Sequence, residues 1–171
     1  TEFTVRDATN KDIPEILKLL QTAFANQREL DPPSGVFKET VATLTEKLST
    51  GGGFIVEVDQ HVVGYVFYQP NNDHMYLGRL ATHPDYRGKG IARILINHVE
   101  TKAREQKLPC IRLGVRVVLT QNRQMFESYG FKFVSYEKHE GYTEPTFIWM
   151  AKPLSDALHH SSGEPPSASE C

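Results

Sequence analysis

Met75-Tyr76-Leu77-Gly78-Arg79-Leu80-Ala81 runs into a Pro- and Gly-bearing loop, His83-Pro84-Asp85-Tyr86-Arg87-Gly88-Lys89-Gly90, which opens directly into Ile91-Ala92-Arg93. The first segment reads as a strand. From Ile91 a helix is expected to about Gln106, because Ile91, Ile94, Leu95, His98 and Val99 fall on one face. Cys110-Ile111-Arg112-Leu113-Gly114-Val115 is the next strand. A strand–loop–helix–strand unit over 75–115 is long enough for a right-handed parallel crossover.

The flanking segments read as antiparallel hairpins. Phe54–Val58 and Val62–Tyr68 are β-branched and aromatic, with Asp59-Gln60-His61 between them. Phe131–Tyr136 and Thr146–Met150 are the last two strands, and Gln121–Tyr129 is a short helix before them. At the other end, Phe3-Thr4-Val5-Arg6 alternates as a strand. Thr9 and Asp12 then form a capping-box pattern ahead of Pro14 and a helix carrying Ile13, Ile16, Leu17, Leu20, Ala23 and Phe24. After Asp31-Pro32-Pro33-Ser34-Gly35, a second amphipathic stretch carries Val36, Phe37, Val41, Leu44 and Leu48 and stops at Gly51-Gly52-Gly53. The order is β-α-α-β-β-β-α-β-α-β-β: a single α/β domain with a mixed, mostly antiparallel sheet flanked by helices. Residues 3–153 form the domain, and 154–171 read as a polar tail.

Composition narrows the function. The chain has 171 residues with Lys+Arg 19 against Asp+Glu 21, a net charge of −2. That balance argues against a nucleic-acid partner, which needs a basic excess. No apolar run approaches the ~18 residues of a membrane span. The N-terminus lacks the apolar core of a signal peptide. Cys110 and Cys171 are too few for a disulfide framework, so a reduced, cytoplasmic protein is expected. His159-His160 lies in the polar tail without ligand spacing around it, and no metal is expected.

The loop carries the chemistry. Helix N-termini leave N–H groups without intrahelical partners and carry partial positive charge, so a phosphate or pyrophosphate fits there. Gly88 and Gly90 let the backbone approach the oxygens with no Cβ in the way, and Arg87, Lys89 and Arg93 add charge. Two nucleotide motifs fail. A dinucleotide fingerprint needs a third glycine where Arg93 stands, and a P-loop needs Lys-Ser/Thr where Ile91-Ala92 stands.

The pattern Arg87-Gly88-Lys89-Gly90-Ile91-Ala92, preceded by Leu80-Ala81-Thr82-His83-Pro84, resembles the Arg/Gln-x-x-Gly-x-Gly/Ala signature of the GCN5-related N-acetyltransferase superfamily. Phe126-Glu127-Ser128-Tyr129-Gly130-Phe131 is similar to that family's Tyr-x-x-x-Gly-Phe, and the likeness covers about residues 3–152. It implies an acetyl-CoA-dependent N-acetyltransferase acting by direct attack in a ternary complex, with acetyl-CoA as co-substrate. The amides of Arg87, Gly88, Lys89, Gly90, Ile91 and Ala92 are implied to hold the pyrophosphate. The strand ending Leu80-Ala81-Thr82 is implied to splay from the strand at 111–115 and to pair with the pantetheine arm. The backbone N–H near Leu80 or Ala81 then polarises the thioester carbonyl. Asn122 and Phe126 join the cofactor-binding set.

Two family positions differ. The strand glutamate that members often use is replaced by Gly78-Arg79, leaving Asp73, His74, Tyr76, Glu57 and His139 as candidate bases. The tyrosine that reprotonates the thiolate is Phe126, so Tyr129, water or unaided departure takes that role. Tyr65, Phe67 and Tyr68 read as core, and Cys110 as a buried residue rather than a nucleophile. The rival from another class is a coenzyme A-binding regulatory module without transfer. The acceptor amine is not legible, and a homodimer is left open.

Overall fold

The computed structural model of the chain describes residues 2–154. Its regular elements are β1 (Thr4–Asp7), α1 (Ile13–Ala23), α2 (Val41–Thr50), β2 (Gly52–Val58), β3 (His61–Pro70), β4 (Met75–Thr82), α3 (Ile91–Glu105), β5 (Cys110–Arg116), α4 (Thr120–Ser128), β6 (Lys132–Glu137) and β7 (Phe147–Pro153). The order is the one expected. The strands form a seven-stranded sheet in the order β1-β2-β3-β4-β5-β7-β6. β4 and β5 pair in parallel, and the β1–β2, β2–β3, β5–β7 and β6–β7 ladders are antiparallel. The parallel ladder has two residue pairs, Met75↔Ile111 and Tyr76↔Arg112. No helix among the described residues is long and apolar enough to cross a membrane.

Packing divides the chain into two compact units: residues up to Gln69 with Leu77–Val99, and Pro70–Tyr76 with Glu100 onward. In the first, β3 carries side chains alternately to two faces. On one, a Cβ at Gly64 would stand 2.6 Å from Ile91 Cγ2 and 3.2 Å from Leu95 Cδ1, so α3 lies flush on the bare backbone there. On the other, a Cβ at Gly53 would meet Tyr65 Cε1 at 2.9 Å and Leu48 Cδ2 at 3.2 Å. Ile13, Ile16 and Leu20 of α1 and Leu44 of α2 are fully buried.

Two local readings change. The Thr9 box is present, with the Thr9 N–H donating to Asp12 Oδ2 at 2.8 Å, but it opens a 3-10 turn over Asn10–Asp12. The α-helix starts only at Ile13, with Pro14 in its first turn. The second amphipathic stretch is also not one helix. A 3-10 turn over Gly35–Lys38 is followed by an extended Glu39, and α2 begins at Val41 behind its Thr40 cap. The break turns Val41 outward, 52% exposed, and Glu39 inward, 6% exposed.

In the second unit β5 pairs with β7 along its whole length, from Cys110↔Pro153 to Arg116↔Phe147. Phe126 of α4 is buried edge-on to Phe131, with ring centroids 5.7 Å apart. Lys152 of β7 donates to Glu100 of α3. Cys110 is fully buried, as expected. Leu154 is buried and its N–H donates to the Pro109 carbonyl at 2.8 Å. The rest of the expected tail, with His159, His160 and Cys171, lies outside the described residues.

Candidate functional site

In the first unit the loop after β4 is held at both ends. The His83 N–H donates to the Val63 carbonyl of β3 at 2.8 Å, and His83 Nδ1 accepts from the Asp85 N–H at 3.1 Å, capping a 3-10 turn over Pro84–Tyr86. At its far end the Ile94 N–H donates to the Gly90 carbonyl at 3.0 Å, which starts α3. The Ile91 and Ala92 N–H groups precede that first bond and by helix geometry have no intrahelical acceptor. Gly88 and Gly90 have φ of 77° and 83°, a region other residues enter only under strain. A Cβ at either would meet nothing within 4 Å. Neither glycine is there to relieve packing; each keeps bare, exposed backbone at the start of a 15-residue helix.

The charged side chains of this loop do less than expected. Arg87 donates through Nη2 to the Ala23 carbonyl at the end of α1, 2.9 Å away, and ties the loop to that helix. Lys89 Nζ lies 5.6 Å from the Tyr86 ring centroid. The bare backbone N–H groups of Ile91 and Ala92 are thus presented beside these cations.

Just before the loop, β4 is irregular at Arg79, whose φ of 52° is unusual for a residue with a side chain. Leu80 beyond it is half-buried and Ala81 fully so. The positive φ directs the Arg79 side chain to Glu39, with Nε 2.7 Å from Oε2. Lys47 of α2 also donates to Oε2, and the Thr43 hydroxyl donates to Oε1 at 2.6 Å. Burial pushes the Glu39 carboxyl up, but hydrogen bonds from Lys47, Thr43 and Arg79 together outweigh it and hold it below its ordinary value. Glu39 is thus an anion at neutral pH and a poor base. Tyr65 of β3, expected as core, is fully buried, yet its hydroxyl has no hydrogen-bond partner. Burial, and then the Glu39 charge, push that phenol up while Arg79 draws it down, so Tyr65 stays protonated.

This cluster escaped the sequence reading. Glu39 sits between Phe37 and Val41 in a stretch that scans as one amphipathic helix. The available signal was the Thr40 cap, which restarts the helix after it.

The second unit holds the other expected residues. Phe126 is a packed core residue with no proton to give, and Asn122 on α4 is half-buried. Tyr129 follows α4, its N–H donating to the Phe126 carbonyl at 3.0 Å. Among the candidate bases, Asp73 is exposed and paired with His74 at 2.7 Å, and that bond lowers its carboxyl. Tyr76 lies edge-on to Trp149 with centroids 6.4 Å apart. His139 packs 5.2 Å from the Phe147 ring and bonds the Thr146 hydroxyl. Burial first, and then Arg116, lower its pKa, so its ring is neutral at pH 7 and able to accept a proton. Glu57, in the first unit, is engaged by Arg6 at 2.6 Å.

The sequence profile of the Acetyltransferase (GNAT) family matches residues 13–131. The chain is 26% identical over 118 residues to the S-alkylcysteine N-acetyltransferase of Bacillus subtilis (strain 168), a match covering 64% of this chain and 66% of that relative. It therefore spans just under two thirds of that relative's length. Its fold is similar to that of the ribosomal-protein-S18-alanine N-acetyltransferase from Escherichia coli, with TM-score 0.76 and 21% identity over 92% of this chain and 97% of the other. It is also similar to the PaiA N-acetyltransferase from Thermoplasma acidophilum in complex with coenzyme A, with TM-score 0.76 and 15% identity over 90% of this chain and 100% of the other.

Proposed function

The chain belongs to the acetyltransferase (GNAT) family, and from that premise we propose that it moves an acetyl group from acetyl-CoA to a primary amine of a small molecule or peptide by direct attack in a ternary complex. The observation that carries this reading is the open glycine pair, Gly88 and Gly90, at the start of α3. An anion with several oxygens suits bare N–H groups at the positive end of a helix. Nothing stands where a Cβ would be, so the backbone can be approached closely, as a diphosphate requires.

In this reading the amides from Arg87 to Ala92 hold the diphosphate of the cofactor. The backbone of Leu80, Ala81 and Thr82 pairs with its pantetheine arm as an added strand would. Acetyl-CoA supplies a carbonyl already activated as a thioester. The Leu80 N–H polarises that carbonyl, the amine nitrogen bonds to its carbon, and the carbon–sulfur bond breaks with its electron pair on sulfur. The amine's proton passes to solvent. We assign the return of a proton to the thiolate to Tyr129, since Phe126 has none to give. The likeness to an S-alkylcysteine N-acetyltransferase supports a small acceptor.

A thiol-release assay with acetyl-CoA and a panel of amines tests the proposal, with S-methyl-L-cysteine and a lysine peptide in the panel. Release above the no-amine background for at least one amine is expected. A melting point raised by acetyl-CoA together with no release from any amine would instead indicate a coenzyme A-binding regulatory module.

A further inference from the structure

Resting on the transferase reading, we propose that Arg79, with Tyr65 and Lys47, binds a carboxylate on the acceptor, so that the amine acetylated is that of a free amino acid. The cluster carries two cations, Arg79 and Lys47, against one carboxylate, Glu39, and so has a net positive charge. Glu39 takes only the Nε–H of Arg79. The two terminal nitrogens make no hydrogen bond among the described residues, and they lie against the backbone of Gly35, where a Cβ would stand 3.2 Å from Nη2. A guanidinium held by one edge presents its other N–H groups as a planar fork that matches two carboxylate oxygens.

Tyr65 supplies the independent observation. Its hydroxyl is fully buried, unpartnered, and electrostatically coupled to Glu39 and Arg79. Buried hydroxyls are nearly always hydrogen-bonded, and the exceptions call for a functional explanation. A protonated phenol is the donor that a third carboxylate contact requires.

The anion site and the amide assigned to the thioester carbonyl are drawn from consecutive residues of β4. Arg79 is the residue immediately before Leu80, and its positive φ is a local strain of the kind that concentrates at ligand sites. In an α-amino acid the nitrogen is two bonds from the carboxylate carbon. Holding that carboxylate at the Arg79 guanidinium therefore fixes where the amine of a free amino acid lies. A polyamine, or a lysine inside a peptide, offers no carboxylate at that distance.

The test compares S-methyl-L-cysteine with its carboxamide as acceptors, with thiol release as the readout. The wild-type kcat/KM is expected to favour the acid by about 100-fold, the size of a charge-assisted pair lost. Arg79→Gln should bring that ratio to within about threefold of unity, through KM for the acid. Tyr65→Phe, which deletes one unpartnered hydroxyl and so spares the fold, should lower the ratio about 10-fold. Should Arg79→Gln not fold, Tyr65→Phe decides alone. Equal use of acid and carboxamide by the wild type, or a ratio that neither variant changes, overturns the carboxylate site and leaves the transferase reading standing. No release from any amine, with acetyl-CoA bound, overturns the transferase reading instead. Calorimetry of S-methyl-L-cysteine with the coenzyme A-loaded protein then decides the site: binding weakened in Tyr65→Phe supports it, and no binding overturns it.

Discussion

The loop from Arg87 to Ala92 and the cluster around Glu39 lie in the same compact unit and handle charge by opposite means. The loop is exposed and presents main-chain N–H groups, with its glycines at positive φ and no neighbour within 4 Å of either missing Cβ. The cluster is side-chain chemistry drawn from β3, β4, α2 and the turn before α2, around a carboxylate only 6% exposed. One region depends on the helix start and on what glycine lacks. The other depends on partners far apart in sequence all arriving together.

Gly90→Val separates the two most strongly. A branched residue at φ 83° is strained and puts a Cβ where the diphosphate must approach. Acetyl-CoA affinity by calorimetry should fall about 100-fold, ~2.7 kcal/mol. The melting point should drop only modestly, because nothing packs against that position. Unchanged affinity would remove the loop from the site.

Glu39→Gln acts on the other side of the comparison. It leaves Arg79 and Lys47 facing each other without an anion, and both side chains are about a third exposed or less. Urea unfolding should show a loss of about 2 kcal/mol, reduced from the full buried-pair value because those cations still reach water. Acetyl-CoA affinity should hardly move. A third outcome is set by pH. The Glu39 carboxyl is lowered from 4.5 in the folded protein, so its contribution is complete above that value and disappears as pH falls through the folded one. Between neutrality and about pH 3 the wild type should therefore lose stability more steeply than Glu39→Gln. Parallel acid limbs would mean that the Glu39 pairs contribute nothing.

Tyr65→Phe gives the smallest change, and its sign is the informative part. Removing a buried hydroxyl that has no partner should raise the stability of the ligand-free protein by about 1 kcal/mol, read by urea unfolding. A loss of stability would show that the hydroxyl is satisfied within the fold.

The same contrast explains what was readable beforehand. Element order was legible because period and punctuation agree locally: alternation in 54–58 and 62–68, a 3.6 period from Ile91, glycines and prolines between them. The loop was legible for a related reason, since its chemistry lies in consecutive residues. Glu39 was not. Whether an acid between Phe37 and Val41 points out or in depends on a helix break, and what neutralises it comes from Lys47 and Arg79, the latter 40 residues away. Arg79 was noticed only as the residue standing in for a family glutamate, and its role is set by a backbone angle that no residue pattern encodes. Arg87 shows the converse limit: that one edge of its guanidinium ties the loop to the end of α1 could not be read from its neighbours in sequence.

The most direct measurement is a titration of 15N-labelled protein followed by amide shifts, with coenzyme A in one series and pantetheine, which lacks the diphosphate, in the other. Large shifts are expected at Gly88, Gly90, Ile91 and Ala92 with coenzyme A, and none of these with pantetheine. Coenzyme A that binds while those four amides stay in place would contradict the placement of the diphosphate there.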